Sequence, residues 1–274
     1  MKLDYTIQTN KYIGKNFLYI FPFVLIPAFI LSFSLASGSI NEVLQGFFTG
    51  NLSTWSFFKL FNAVSVFNFD SWQTALAGGV GILAIVPCMA LFTAFLEKHM
   101  RIGKRTFNGL WTKLNDNISS TVVFGGVVLI VYELWALVLA AMLYFMSLIP
   151  NAVVAYICIV ITYIAAHVAF MSVISTLYLW LPCMQITGFR LVEALHYAYR
   201  LLTPVRNGII LEQTAFLLFG EIIIGLCSLF IPQTMFFILV TTILIAILLL
   251  YYFVRMEIIY FDRDHIERMD LRKY

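Results

Sequence analysis

An all-α integral membrane protein with six transmembrane helices is the fold class this sequence predicts, and three observations predict it. The chain is 62% hydrophobic and only 11% charged, where soluble domains carry roughly 45 to 50% apolar and about 25% charged residues. Six apolar stretches reach the roughly 20 residues a helix needs to cross a bilayer, at about 17–37, 75–97, 119–147, 152–183, 209–231 and 233–254. None has the short alternating segments of an outer-membrane barrel, and an open sheet would leave unpaired edges in lipid. The same composition excludes a soluble enzyme, a disordered chain and a nucleic-acid binder. Six spans and their connections fill residues 1–274 as a single transmembrane domain, with no room for a separate soluble one.

The elements follow in chain order. The first span is too long in its apolar part for a signal-peptide core, which predicts a retained helix; Asp4 to Lys15 before it suggests an amphipathic elbow. The connection 38–74 is long, nearly uncharged and rich in Phe47, Phe48, Trp55, Phe57, Phe58, Phe61, Phe67, Phe69 and Trp72. That composition suits the lipid interface, with a lid over a cavity and a docking surface as other readings. In span two, Gly78, Gly79 and Gly81 point to a close helix contact, since no strand precedes them to make a nucleotide loop. Next, Phe107, Leu110, Trp111 and Leu114 recur at helical spacing beside Lys104 and Arg105, predicting a surface helix. Pro150 marks a tight turn between spans three and four, and Pro232 one between spans five and six. Between spans four and five, Leu191, Val192, Leu195, Ala198, Tyr199 and Leu202 form one arc opposite Arg190, Glu193, His196 and Arg200, a second amphipathic surface helix ended by Pro204 and Gly208. Beyond span six the chain reads as continued helix with an Asp264 to Arg268 pair one turn apart.

Charge sets the expected orientation. Of the 17 lysines and arginines, only Lys59 falls on the side of the aromatic connection. Basic residues flanking spans resist translocation, so both termini are expected in the cytoplasm, and the inner face should favour anionic lipid.

Ionisable groups at bilayer depth are costly, and they are functional candidates by default. Glu133, His167 and Glu221 lie midway along spans three, four and five. Glu133 and His167 sit at similar depth in a hairpin, which invites a charge-assisted hydrogen bond. Tyr163 and Ser175 share an arc with His167, and Glu212 faces away from Glu221 across the helix. A proton or substrate relay is one reading of these groups, and hydrogen bonds that only fix helix packing are the other. His99 and His196 are expected to be solvated at the inner surface. Cys88, Cys158, Cys183 and Cys227 lie in or beside apolar stretches with no ligand or disulfide spacing, and Asp262-Arg263-Asp264 is too small a set for a cation cage, so neither a metal nor another cofactor is expected. No catalytic motif is present, and no catalytic residue is assigned.

Pro87-Cys88-Met89 recurs as Pro182-Cys183-Met184, and the same offset aligns Arg105 with Arg200 and Phe124-Gly125 with Phe219-Gly220, a pattern open to reading as a parallel duplication or as chance. The run Pro87-Cys88-Met89-Ala90-Leu91-Phe92, a basic stretch with Arg101, then Phe107 and Trp111 with Asn115 or Asn117, resembles the central pattern of the YesL-like family. These are small multi-span bacterial proteins often associated with sugar-uptake systems. The resemblance covers about residues 80–130, with a looser echo at 178–202, and the span number and long aromatic connection depart from the family; it implies no site residues.

Three functions remain in view: a bacterial inner-membrane permease or membrane subunit of a transport complex, a non-transport assembly or regulatory subunit, and an intramembrane acid/base enzyme. The first expects a partner, such as an ATPase, coupled through Arg105, Phe107, Trp111, Glu193, His196 and Arg200. Lipid and a second copy of the chain are further expected contacts.

Overall fold

The computed structural model describes residues 2–35, 38–230 and 235–271, and within them the only regular structure is helix. Ten α-helices run α1 Lys2–Leu35, α2 Gly38–Thr49, α3 Phe57–Val64, α4 Trp72–Ile102, α5 Leu110–Ser147, α6 Ala152–Leu177, α7 Trp180–Thr187, α8 Leu191–Leu202, α9 Arg206–Phe230 and α10 Met235–Arg263. Six helical units are long and apolar enough to cross a membrane: α1, α4, α5, α6 with α7, α9 and α10. Large apolar side chains such as Leu18, Leu83, Ile161, Leu211 and Leu239 are exposed along them, as lipid-facing surfaces require.

Local chemistry explains the boundaries. Ser71 caps α4 by accepting from the Thr74 N–H while Thr74 Oγ1 accepts from the Ser71 N–H, and Asn151 accepts from the Val154 N–H to start α6. The tight turn predicted at 148–151 is present; the one at Pro232 lies outside the described residues. Span four is broken at Tyr178 and Leu179. Pro182 has no N–H for the Tyr178 carbonyl and its ring clashes there, so the helix restarts as α7.

Several expectations are corrected. α1 is one continuous helix from Lys2, with no separate elbow, because Tyr5, Thr9, Tyr12 and Asn16 are buried in line with Ile20 and Val24. The predicted surface helix around Phe107 does not form: Phe107 lies in the connection, and Leu110 and Trp111 open α5, which then runs 38 residues, about 57 Å against a hydrocarbon core of about 30 Å. The parallel-duplication reading loses one of its shared features there, whereas α8 does stand apart between α7 and α9. Past Arg263 the helix stops; Asp264 accepts from Tyr197 and Tyr260, and Arg268 pairs with Asp270 at 2.8 Å instead of Asp264. The Asp264 carboxylate pushes the Tyr197 phenol up to about 12, because its hydrogen bond favours the protonated phenol.

The largest core joins α1, α4 and α10, with α7 and α8 packed at the end that holds most basic residues, here called the basic end. Every residue from Val254 to Phe261 is buried, so α10 is enclosed on all sides there. Arg255 and Glu257, past the expected end of span six at 254, are both inside this core. His99, expected to be solvated, is buried on α4 with Nδ1 2.7 Å from the Tyr12 hydroxyl.

A second core lies at the opposite end. There α2, a turn of 3-10 helix at Leu52–Thr54, and α3 fold over α5 and α6 through Leu52, Trp55, Leu60, Leu139, Leu143 and Ile159. The aromatic connection is therefore a folded helical layer. Asp70 fastens it by accepting from the Ser39 N–H and hydroxyl and from Asn62 Nδ2.

Candidate functional site

The site is assembled from α6 and α9. Tyr163 and His167, one turn apart, share the face of α6 that meets α9, and α9 presents Glu221 to both. The Tyr163 hydroxyl donates to Glu221 Oε2 at 2.6 Å. His167 Nε2 lies 2.9 Å from Oε2 and 3.1 Å from Oε1 of the same carboxylate. Its Nδ1 is 2.8 Å from the Tyr163 carbonyl oxygen.

This geometry fixes the proton count. A carbonyl oxygen only accepts, so Nδ1 carries a hydrogen. Nε2 then faces a carboxylate, and two lone pairs at that separation repel unless a proton lies between them. The pair thus holds one shared proton, as imidazolium with carboxylate or as imidazole with carboxylic acid. His167 is fully enclosed, while the Glu221 side chain is 28% exposed, so the carboxyl group is the open side of the unit.

Trp135 of α5 completes the enclosure. Its ring meets the imidazole edge to face at 4.8 Å, and its Nε1–H donates to the Ala166 carbonyl at 3.0 Å. Sequence reasoning did not single out Trp135; a tryptophan two residues from a mid-span Glu was the available signal. Its position also explains why the expected Glu133 to His167 hydrogen bond is absent. Two residues along a helix is about 200° of rotation, so an α5 that turns Trp135 toward α6 turns Glu133 away. The expected pairing of Glu133 with His167 is corrected: the two side chains face different neighbours.

Glu133 instead accepts from the Ser65 hydroxyl at 2.7 Å and the Val66 N–H at 3.0 Å, in the connection between α3 and α4. Tyr132 donates to the Val64 carbonyl at 2.6 Å and Ser34 of α1 donates to the Val66 carbonyl at 2.7 Å. Gly78 of α4 completes this clamp, for a Cβ there would lie 2.3 Å from the Val66 oxygen. The close contact predicted at the glycines is real: Gly81 likewise abuts Leu31 of α1, where a Cβ would come within 2.6 Å of Cδ2.

Ser175 is on the predicted stripe but serves another group: Arg206, at the start of α9, donates from Nε to its hydroxyl at 3.4 Å and from Nη2 to the Ser172 carbonyl at 3.2 Å. One turn beyond Glu221 on α9, Gly225 meets Leu44 of α2, and Tyr156 of α6 donates to the Phe47 carbonyl at 2.8 Å. The helical layer therefore covers the α6–α9 contact on the Gly225 side of the pair.

The coupling candidates occupy two segments. Arg105 lies over the Tyr19 ring at 5.2 Å and Phe107 stacks on Phe95 at 5.4 Å, so both are engaged with α1 and α4. Trp111, at 76% exposed, projects freely. On α8, Glu193 accepts from the Arg190 N–H at 3.4 Å, Arg200 lies over Tyr197 at 5.7 Å, His196 is exposed, and Ala194, Ala198 and Leu202 form the buried face. Among the described residues no group of three or more His, Cys, Asp or Glu side chains is placed to hold a metal ion. Asp262 and Asp264 accept tyrosine hydroxyls instead.

No family model matches this chain, and no curated protein or solved structure matches it either.

Proposed function

We propose that this chain is a membrane-embedded permease, or the membrane subunit of a transport complex, in which His167, Glu221 and Tyr163 carry the coupling proton. One observation carries the reading: an imidazole and a carboxyl group on two different membrane helices meet at 2.9 Å, His167 to Glu221, with the imidazole enclosed and the carboxyl partly open. Sliding or tilting α9 against α6 would separate the pair, so the helix arrangement and the proton's owner change together. That is the kind of linkage a proton-coupled transporter needs. In this reading the basic end faces the cytoplasm of a bacterial cell, and the exposed Trp111 and α8 receive a protein partner, an ATPase being one class of candidate. The resemblance to YesL-like proteins, often associated with sugar uptake, points the same way.

Solid-supported-membrane electrophysiology on proteoliposomes, screened with anionic, cationic and neutral small solutes, tests it. A transient current with one solute class in the wild type, abolished in Glu221→Gln and in His167→Gln at unchanged folding yield, is the expected result. A current that survives both substitutions overturns the role of the pair.

A second reading, a non-transport subunit that binds another membrane or secreted protein, draws on the exposed rings of Phe48, Phe58, Phe69 and Trp72 on the well-fastened helical layer. A stable co-purifying protein bound there, with no current from any solute class, would favour it.

A further inference from the structure

Arg255 of α10 is 2% exposed, and only its Nη2 is engaged, with the Glu212 carboxylate of α9; its Nε and Nη1 are buried without a hydrogen-bond partner. A guanidinium presents five N–H donors, and leaving buried charged donors unpaired is costly. This side chain lines a cavity of about 90 Å³ together with Tyr5, Pro204, Gly208, Ile209 and Glu212, room for roughly three waters at their liquid volume. The cavity wall includes the first turn of the 25-residue α9; the Gly208 and Ile209 N–H groups there donate to the Val205 carbonyl, so that turn offers the cavity the positive end of the helix dipole, and the unpaired donors are those of Arg255. Fixed positive charge and unpaired donors thus meet in one place.

A second cavity, of about 280 Å³, lies along the same three helices, set off from the first by Thr6, which donates to Glu212 at 3.3 Å and accepts from the Tyr251 hydroxyl at 3.4 Å. One turn or less separates their walls at Tyr5 and Thr6, Glu212 and Phe216, and Tyr251 and Arg255. Ile13, Phe17, Phe216, Ile247 and Leu250 make it apolar, and it leads away from the basic end into the membrane-spanning part of the bundle. An anion-seeking cavity at the end of the helices, next to an apolar trough that points toward the bilayer centre, matches one kind of ligand in both charge and shape.

We propose that this groove between α1, α9 and α10 binds one anionic phospholipid of the leaflet at the basic end. Its phosphate oxygens meet Arg255 and the α9 N-terminus, and one acyl chain lies along Ile13, Phe17 and Phe216. Basic pockets between membrane helices hold lipid headgroups by this chemistry. Glu212, which also accepts from the Thr6 hydroxyl at 3.3 Å, competes with the phosphate for the guanidinium and so limits affinity.

That competition gives a test in which two substitutions act in opposite directions, which general misfolding does not imitate. Native mass spectrometry would compare retention of phosphatidylglycerol with phosphatidylcholine of identical chains on the purified protein. The wild type is expected to prefer phosphatidylglycerol by about tenfold, because both headgroups carry the phosphate but only phosphatidylcholine brings a cationic ammonium toward the guanidinium. Arg255→Lys, which keeps the charge and loses the fork, should bring that preference toward parity, and Glu212→Gln should raise it. Should Arg255→Lys fail to fold, Glu212→Gln decides alone: a rise supports the site and no change overturns it. Equal retention of the two lipids by the wild type also overturns it. Displacement of phosphatidylglycerol by inorganic phosphate overturns the lipid as occupant in favour of a free anion.

Discussion

Gly78→Val is expected to remove at least about 3 kcal/mol of stability, and with it most of the folded protein recovered in detergent. The loss arises at one contact. A Cβ at Gly78 would sit 2.3 Å from the Val66 carbonyl oxygen, a backbone atom that cannot swing away as a flexible side chain can. That oxygen also accepts from Ser34, and the Val66 N–H donates to Glu133, so moving the segment breaks two further hydrogen bonds. Overpacking costs about 1 to 3 kcal/mol, and a hydrogen bond to a charged group adds about 1.5 to 3. The neighbouring glycine provides the control. A Cβ at Gly79 would meet only Phe67 Cε1 at 3.9 Å, an ordinary contact, so Gly79→Ala should change stability by less than about 1 kcal/mol, the scale of helix propensity. Thermal melts and size-exclusion yields of both variants check this; equal losses in the two would show that the clamp around Val66 is not what Gly78 serves.

These two glycines also mark where sequence reasoning reaches and where it stops. Six apolar stretches, the turn at Pro150 and a close contact in span two were legible, because length, turn chemistry and small residues act locally. What a single sequence does not encode directly is rotation about each helix axis. Trp135 and Glu133 are both mid-span, and which of them faces α6 is settled by packing across the whole bundle. The same applies to Arg255. In the sequence it is one of the basic residues flanking span six, and it is the gathering of α1, α4 and α7 around the end of α10 that buries it. The residues from Tyr251 to Phe261 did carry a signal, a single Arg and a single Glu inside an otherwise apolar and aromatic run. The helical layer at 38–71 was half legible: its aromatic content announced an interface, but the fastening by Asp70 and Glu133 depends on long-range pairing that composition does not reveal.

The two mid-span acids therefore separate into different kinds of group. Glu221 shares a proton with an enclosed histidine and is partly open; Glu133 accepts from a hydroxyl and a backbone N–H of a segment held in place. Both Glu133 oxygens are occupied by donors of a segment that is itself fastened. Glu133 is thus better suited to holding structure than to relaying protons.

Glu133→Ala accordingly should cost about 3 kcal/mol, as two charge-assisted hydrogen bonds vanish and the buried Ser65 hydroxyl keeps only the Phe67 carbonyl, at 3.1 Å, as acceptor. Glu133→Gln should cost about half as much, because one amide oxygen still serves one donor while the amide nitrogen faces the other. A double-mutant cycle with Ser65→Ala is expected to return a coupling of about 1 to 2 kcal/mol, since the two side chains are in direct contact. Amide exchange should speed up at Val66 in both Glu133 variants, because that N–H loses its strongest acceptor or faces a weaker one. The infrared carboxyl bands assigned through Glu221→Gln should be unmoved, as the His167 pair lies on the other side of α5. If Glu133→Gln left melting and exchange at Val66 unchanged while shifting the Glu221 band or abolishing solute current, Glu133 would belong to the proton path and not to the clamp.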